Sequence, residues 1–196
     1  MSLATKPLIK DVTSLEESLA LVHRLQNGDQ EAVNDLVALY ADRMLRTATL
    51  ILNDYHLAED VVQEVLIDAI THIRQFRGDA SLYSWIYTIL VRRCRKQGKR
   101  RYRNLLDVKS NEKLNQLPDD TPDVLEQYIL KAEHHSVRKA ISKLSLAHRE
   151  VITLFYYEEL PLERISIIAN ITLGTVKSRL HRARLKLKKL LSKECG

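Results

Sequence analysis

Between Thr175 and Lys193 the chain carries eight lysines and arginines and no acid, and the twelve residues RRCRKQGKRRYR from Arg92 to Arg103 carry eight more, again without an acid. Cations at that density attract polyanions, because each one that meets a phosphate releases condensed counterions and the gains accumulate. One such block also fits a solvated, lysine-rich helix face. Two acid-free blocks in one chain weigh toward nucleic acid. An acidic membrane surface is the competing polyanion, but neither block opposes its cations with the large Trp, Phe or Leu face of a helix lying on a bilayer.

The second block has internal order. Val176, Leu180, Ala183, Leu187 and Leu190 recur at alternating four- and three-residue steps and line one side of a helix, while Lys177, Ser178, His181, Arg182, Arg184 and Lys188 lie around the remainder. Lys and Arg can donate to guanine acceptors in a major groove, Ser adapts to either partner, and later cations grip phosphates. Upstream stand LERISIIA and the short break NIT, so a short helix, a three-residue turn and a longer basic helix form the pattern of a helix-turn-helix. Thr172 is the expected N-cap of the second helix. Asn170 sits in the turn, where its side chain tolerates a left-handed backbone better than most.

The elements that must carry these residues are helices throughout. Five glycines and four prolines in 196 residues, with 45% hydrophobic side chains, leave too few turns for an all-β fold and enough apolar surface for a packed one. Residues 15–27 place Leu15, Leu19, Val22 and Leu25 at helical spacing up to Asn27-Gly28, and Asp29 can cap a helix bearing Ala32, Val33, Leu36, Val37 and Tyr40. A third helix runs from Leu57 to Phe76, with Asp60, Gln63, Glu64 and Asp68 off its apolar face, and Arg77-Gly78-Asp79 breaks it. Ser81 caps the next, which runs through Leu82, Trp85, Ile86, Ile89 and Leu90 into the first basic block. From Asn104 periodicity fades, Pro118 and Pro122 appear, and residues 104–133 hold three bases against seven acids. The expected organisation is all-α: a tail over 1–14, a helical domain over 15–103, a flexible acidic linker over 104–133, and a helix-turn-helix domain over 134–196.

Cys94 and Cys195 lie far apart with no ligand cluster beside either, which points to a reducing compartment. With no signal-peptide core and no apolar run of membrane-spanning length, the expected location is the cytoplasm.

The stretch LSLAHREVITLFYYEELPLERISIIANITLGTVKSRLHRARLKLKKLL resembles the promoter-recognition domain of extracytoplasmic-function (ECF) sigma factors of the sigma-70 family, chiefly through Gly174 to Leu180 and Arg182-Ala183-Arg184. That half alone also resembles a response-regulator output domain. LAEDVVQEV (57–65), Phe76-Arg77-Gly78 and Ser84-Trp85-Ile86-Tyr87 resemble the family's other domain in order and spacing, and together the match covers nearly the whole chain beyond the first dozen residues.

The resemblance implies a protein that binds core RNA polymerase, recruits it to promoters and helps to melt them. It implies that Asp60, Gln63 and Glu64 dock on the β′ clamp, with the β flap as a further polymerase contact. Arg77, Gly78, Asp79 and Ser81 would open the minus-10 element, and Arg92, Arg93, Arg95 and Lys96 would hold the released strand. Thr175, Lys177, Ser178, Arg179, His181, Arg182 and Arg184 would read the minus-35 element. It departs at Val91-Arg92, where the family often has Arg-Asn, so no base-specific contact is assigned in that helix. Leu146 stands where a proline is common and Ala169 where a core leucine is. The spacing of Trp85 with Leu82, Ile86 and Ile89 makes it a core residue rather than a melting wedge.

An anti-sigma factor is an expected partner, as in many relatives. The rival classes are a dimeric operator-binding regulator, which needs a sensor or dimerisation domain in the N-terminal half, and an adaptor, which needs no second basic block. No catalytic motif, phosphate cradle or metal spacing occurs, and His134-His135 lacks a third ligand, so no enzyme, cofactor, metal or small-molecule substrate is expected.

Overall fold

The computed structural model describes residues 15–111 and 132–192, and every regular element among them is helical. Four helices make the N-terminal lobe: α1 (Leu15–Gln26), α2 (Gln30–Leu52), α3 (Tyr55–His72, tightening into a 3-10 turn over Ile73–Gln75) and α4 (Leu82–Asn111). Their boundaries follow from local chemistry. Gly28 adopts φ 80° between α1 and α2, and the Asp29 carboxylate then accepts from the Glu31 amide at 2.9 Å. Asn53 takes the left-handed conformation after α2, and Asp54 caps α3 through the Leu57 amide at 3.0 Å. Ser81 Oγ accepts from the Ser84 amide at 3.2 Å to open α4.

The fourth helix runs past residue 104, where the charge changes sign and a linker was expected, to Asn111. A reversal of charge removes no backbone hydrogen bond, and the first residue that does is Pro118. The rest of the expected linker, residues 112–131, lies outside the described residues, as does the tail over 1–14.

The C-terminal lobe comprises α5 (Ala132–Ser142), α6 (Leu146–Ile152), α7 (Leu162–Ala169) and α8 (Leu173–Ser192). The second helix of this lobe, α6, passes into a π-turn over Thr153–Tyr157, after which Glu159 takes φ 53°. In the helix-turn-helix, Asn170 has φ 48° and ψ 55°, and Thr172 Oγ1 accepts from the Thr175 amide at 3.2 Å.

One hydrophobic core runs through both lobes, joining Leu36, Tyr40, Met44, Ile51, Ile86, Tyr87, Leu90 and Cys94 to Val151, Leu154, Leu160, Ile165, Ile168 and Val176. Helix α4 is apolar on two sides, one turned to α2 and α3 and the other to α6 and α7, and such a helix is stable only when covered twice. A smaller cluster of Leu144, Ile152, Leu180 and Ala183 fastens α8 within its own lobe. The two helical units are thus pressed face to face.

Candidate nucleic-acid and polymerase interface

The apolar stripe of α8 is buried over its first half, with Val176 and Ala183 at 0% exposure and Leu180 at 4%, and half-buried at Leu187 and Leu190. That fixes which side of the helix remains for a ligand. Lys177, Ser178, His181, Arg182 and Arg184 are exposed on it, and Thr175 and Arg179 are half-buried at its margin. Three of these already have a partner within the chain. Thr175 Oγ1 lies 2.8 Å from Thr172 Oγ1, Ser178 Oγ donates to the Thr175 carbonyl at 3.1 Å, and Arg184 donates to the Tyr156 hydroxyl at 2.9 Å with its guanidinium 5.1 Å from the Phe155 ring centre. Lys177, Ser178, His181 and Arg182 share one open, positively charged face.

Motif reading missed a neighbour of that face. Half-buried His148 on α6 has an Nδ1 shut off from solvent without a hydrogen-bond partner. Burial, followed by the nearby charges of Lys186, Arg179 and Arg182, pushes its pKa below the usual imidazole value.

On α3, Asp60 and Gln63 are exposed and Glu64 is half-buried, at the edge of an open groove of 830 Å³ between α3 and α4. Ile67, 63% exposed, is its apolar centre, and Arg100 and Arg101 rim the far side. Glu64 and Arg93, assigned from sequence to different surfaces, meet here: Arg93 donates to Glu64 at 2.8 Å and, through Nε, to Asp68 at 2.8 Å. Those contacts hold the Arg93 guanidinium above its usual pKa, the Asp68 hydrogen bond foremost.

Between α3 and α4, Arg77, Gly78 and Asp79 are exposed, with Gly78 at φ 81°. A cavity of 230 Å³ lies under this loop, lined by Leu19, Val22, Phe76, Asp79 and Ser81 among others. Trp85 packs edge-to-face on Phe76 at 5.5 Å, half-buried and joined to the core. Arg92 and Lys96 are exposed on α4.

Arg95 and Ser81 are not open. Arg95 forms a two-pronged bond to the Glu150 carboxylate of α6, at 2.7 and 2.6 Å, and Arg164 of α7 donates to Ser84 Oγ at 2.8 Å and to Ser81 Oγ. Beside them Glu158, 1% exposed, accepts from Arg43 Nε at 2.7 Å, Tyr83 at 2.8 Å, Tyr87 at 3.1 Å and Thr47. Burial, and then the charges packed around them, raise both tyrosine pKa values, so the two phenols stay protonated donors. Sequence patterning gave no warning of this cluster, since Glu158 reads as a surface acid. Among the described residues no group of side chains could hold a metal ion, and no helix is long and apolar enough to cross a membrane.

An exposed basic recognition helix on one lobe, with an acidic-apolar groove and a basic helix on the other, defines a two-lobed helical transcription protein of the sigma-70 class. Residues 36–104 match the model of sigma-70 region 2, and residues 134–187 match that of sigma-70 region 4. The ECF RNA polymerase sigma factor SigW of Bacillus subtilis is 33% identical over 177 residues, spanning 87% of this chain and 94% of that protein. The ECF sigma-E factor of Haemophilus influenzae is 36% identical over 176 residues, spanning 84% and 90%. The solved sigma factor RpoE of Bartonella quintana, in complex with the anti-sigma factor NepR, superposes with a TM-score of 0.62 at 25% identity, covering 81% of this chain and 96% of that one. The chain belongs to the ECF RNA polymerase sigma factors: it binds core polymerase and directs it to promoters.

Proposed function

We propose a division of labour within that role. The open face of α8 reads the minus-35 duplex, with Lys177, Ser178, His181 and Arg182 toward base edges and Thr175, Arg179 and Arg184 at the flanks and phosphates. Arg77, Gly78, Asp79 and Ser81 open the minus-10 element over the cavity beneath their loop, and Arg92, Arg93, Arg95 and Lys96 hold the released strand. Asp60, Gln63 and Glu64 dock on the polymerase β′ clamp, with the β flap as a further contact. The units doing this are residues 15–103 and 134–196.

The observation carrying this reading is the pairing, in the first half of α8, of the buried Val176, Leu180 and Ala183 with an opposite face where four polar side chains face solvent. The protein acts in the cytoplasm, without catalysis of its own, and an anti-sigma factor restrains it. That last point draws support from the fold shared with a sigma factor solved together with such an inhibitor.

Run-off transcription with core polymerase on genomic fragments tests the reading. Discrete promoter-specific transcripts that require the added chain are the expected result, and none with competent enzyme refutes it. Gln63→Ala with Glu64→Ala should weaken binding to core while leaving contacts of the C-terminal lobe with DNA unchanged.

A further inference from the structure

The π-turn after α6 carries two aromatic residues in succession, and they end in different surroundings. Phe155 is half-buried and packs against both hydrophobic clusters. Tyr156 is 55% exposed, its ring set edge-to-face on Phe155 with centres 4.9 Å apart. A ring held at its base with its hydroxyl in water is a side chain with a dry anchor and a polar tip.

Arg184 of α8 lies across this pair. Its guanidinium carbon is 5.1 Å from the Phe155 ring centre and 5.5 Å from that of Tyr156, and its Nε donates to the Tyr156 hydroxyl at 2.9 Å. Those contacts fix a long, exposed side chain before any ligand arrives, so the rotamer freedom that binding would otherwise remove is already gone. Only Nε is spent. Both terminal nitrogens keep their N–H donors, and among the described residues no carboxylate pairs with them. Tyr156 acts here as the acceptor, so its own hydroxyl proton remains to be donated.

A cationic fork and a hydroxyl proton thus meet at one exposed point. Their complement is an anion with several oxygens, and a phosphodiester takes both donors together. The position on α8 agrees. Arg184 stands seven residues beyond Lys177, two turns along nearly the same line and about 10 Å farther on. In a helix-turn-helix the first residues of the recognition helix meet base edges, and a cation two turns later, on the flank of that helix, meets the strand that borders the groove.

We propose that Tyr156 and Arg184 form a clamp for one backbone phosphate at the edge of the minus-35 duplex. Tyr156 has two parts in it: its proton goes to the phosphate, and its oxygen holds Arg184 in the gripping rotamer. The clamp rests on the minus-35 role given to α8. It reads no base and sets how firmly the helix is seated.

Holoenzyme assembled from core polymerase and the full chain, titrated with a promoter duplex found by run-off transcription, tests this. Tyr156→Phe keeps both rings and the charge of Arg184, so it should weaken binding about three- to tenfold with an unchanged slope against salt. Arg184→Ala should weaken it further and shallow that slope by about one ion. In the Arg184→Ala background Tyr156→Phe should cost less than about twofold, because the two side chains act as a unit. Duplexes carrying one neutral methylphosphonate at a time then locate the contact: a single position should weaken wild-type binding, be muted in Tyr156→Phe and be silent in Arg184→Ala. Losses that simply multiply, or sensitivity moved to different phosphates in the two variants, overturn the clamp. A loss of affinity for core in place of DNA gives the pair to a carboxylate of a protein partner and overturns it as well. If Lys177→Ala weakens promoter binding and Tyr156→Phe does not, the clamp alone falls; if neither does, the minus-35 reading falls with it.

Discussion

Two segments of this chain have the same charge and opposite circumstances. The blocks over residues 175–193 and 92–103 each hold eight bases and no acid, yet Lys177 and Arg182 on α8 face solvent while Arg93 and Arg95 on α4 are tied into carboxylates of α3 and α6. The difference lies in what opposes each helix. Residues 1–91 hold thirteen acids against seven bases and supply Glu64 and Asp68; the C-terminal lobe supplies Glu150 from the other side. Nothing acidic among the described residues crosses the outer face of α8. Charge density therefore identifies what a helix could bind, and the nearest carboxylates decide whether it is free to do so.

The largest effect that could break this contrast lies at Glu158. Glu158→Ala leaves Tyr83 and Tyr87 without their carboxylate acceptor and Arg43 without its ion-pair partner, while Thr47 keeps the Arg43 carbonyl. Arg43, with 27% of its side chain exposed, keeps part of its hydration, so the loss of stability is set by the two buried phenols at about 1–3 kcal/mol. Denaturant titration of the full chain should read that loss. Next in size, Lys177→Ala or Arg182→Ala should weaken binding to a minus-35 duplex by about 1–3 kcal/mol and shallow its salt dependence by about one ion, read by titration across salt concentrations. Arg95→Ala should leave that duplex binding unchanged, and if it weakens it equally the contrast between the two blocks is false.

A smaller effect is expected at the cap. Thr172→Ala removes the acceptor of the Thr175 amide and should lower stability by about 1 kcal/mol in denaturant titration, without changing the sequence preference of α8. Smallest is a pH effect at His148, whose folded pKa lies below the ordinary value of 6.5. The unfolded chain binds a proton there first, so the contribution to stability is complete above that value and fades as pH falls through the folded pKa. His148→Gln should flatten the acid side of the stability profile.

Much of the fold and of the recognition helix was legible. Caps at Asp29, Ser81 and Thr172, the turn at Asn170 and the buried stripe of α8 all follow from local side-chain chemistry and period, which a sequence carries directly. The docking was not legible, because its participants disguise themselves. Glu150, Glu158 and Arg95 are charged residues that patterning places on a surface, and Gly98 sits in a run of cations where nothing marks a close approach. Two signals were available. Tyr83, Tyr87, Val91 and Cys94 form a second apolar stripe on α4, and a mid-helix glycine is costly enough to be kept for space. Leu146, noted as standing where a proline is common, proves to be the side chain that fills the space over Gly98.

The π-turn over Thr153–Tyr157 has a consequence for how such a chain tolerates change. Each residue advances a helix by about 100°, so the wider turn sets the azimuth at which Glu158 leaves it. Deleting one residue between Thr153 and Tyr157 would leave the composition and the recognition helix almost untouched, yet swing that carboxylate away from its four donors. Length variation in this short stretch would therefore alter how the two lobes meet while leaving the recognition helix as it is.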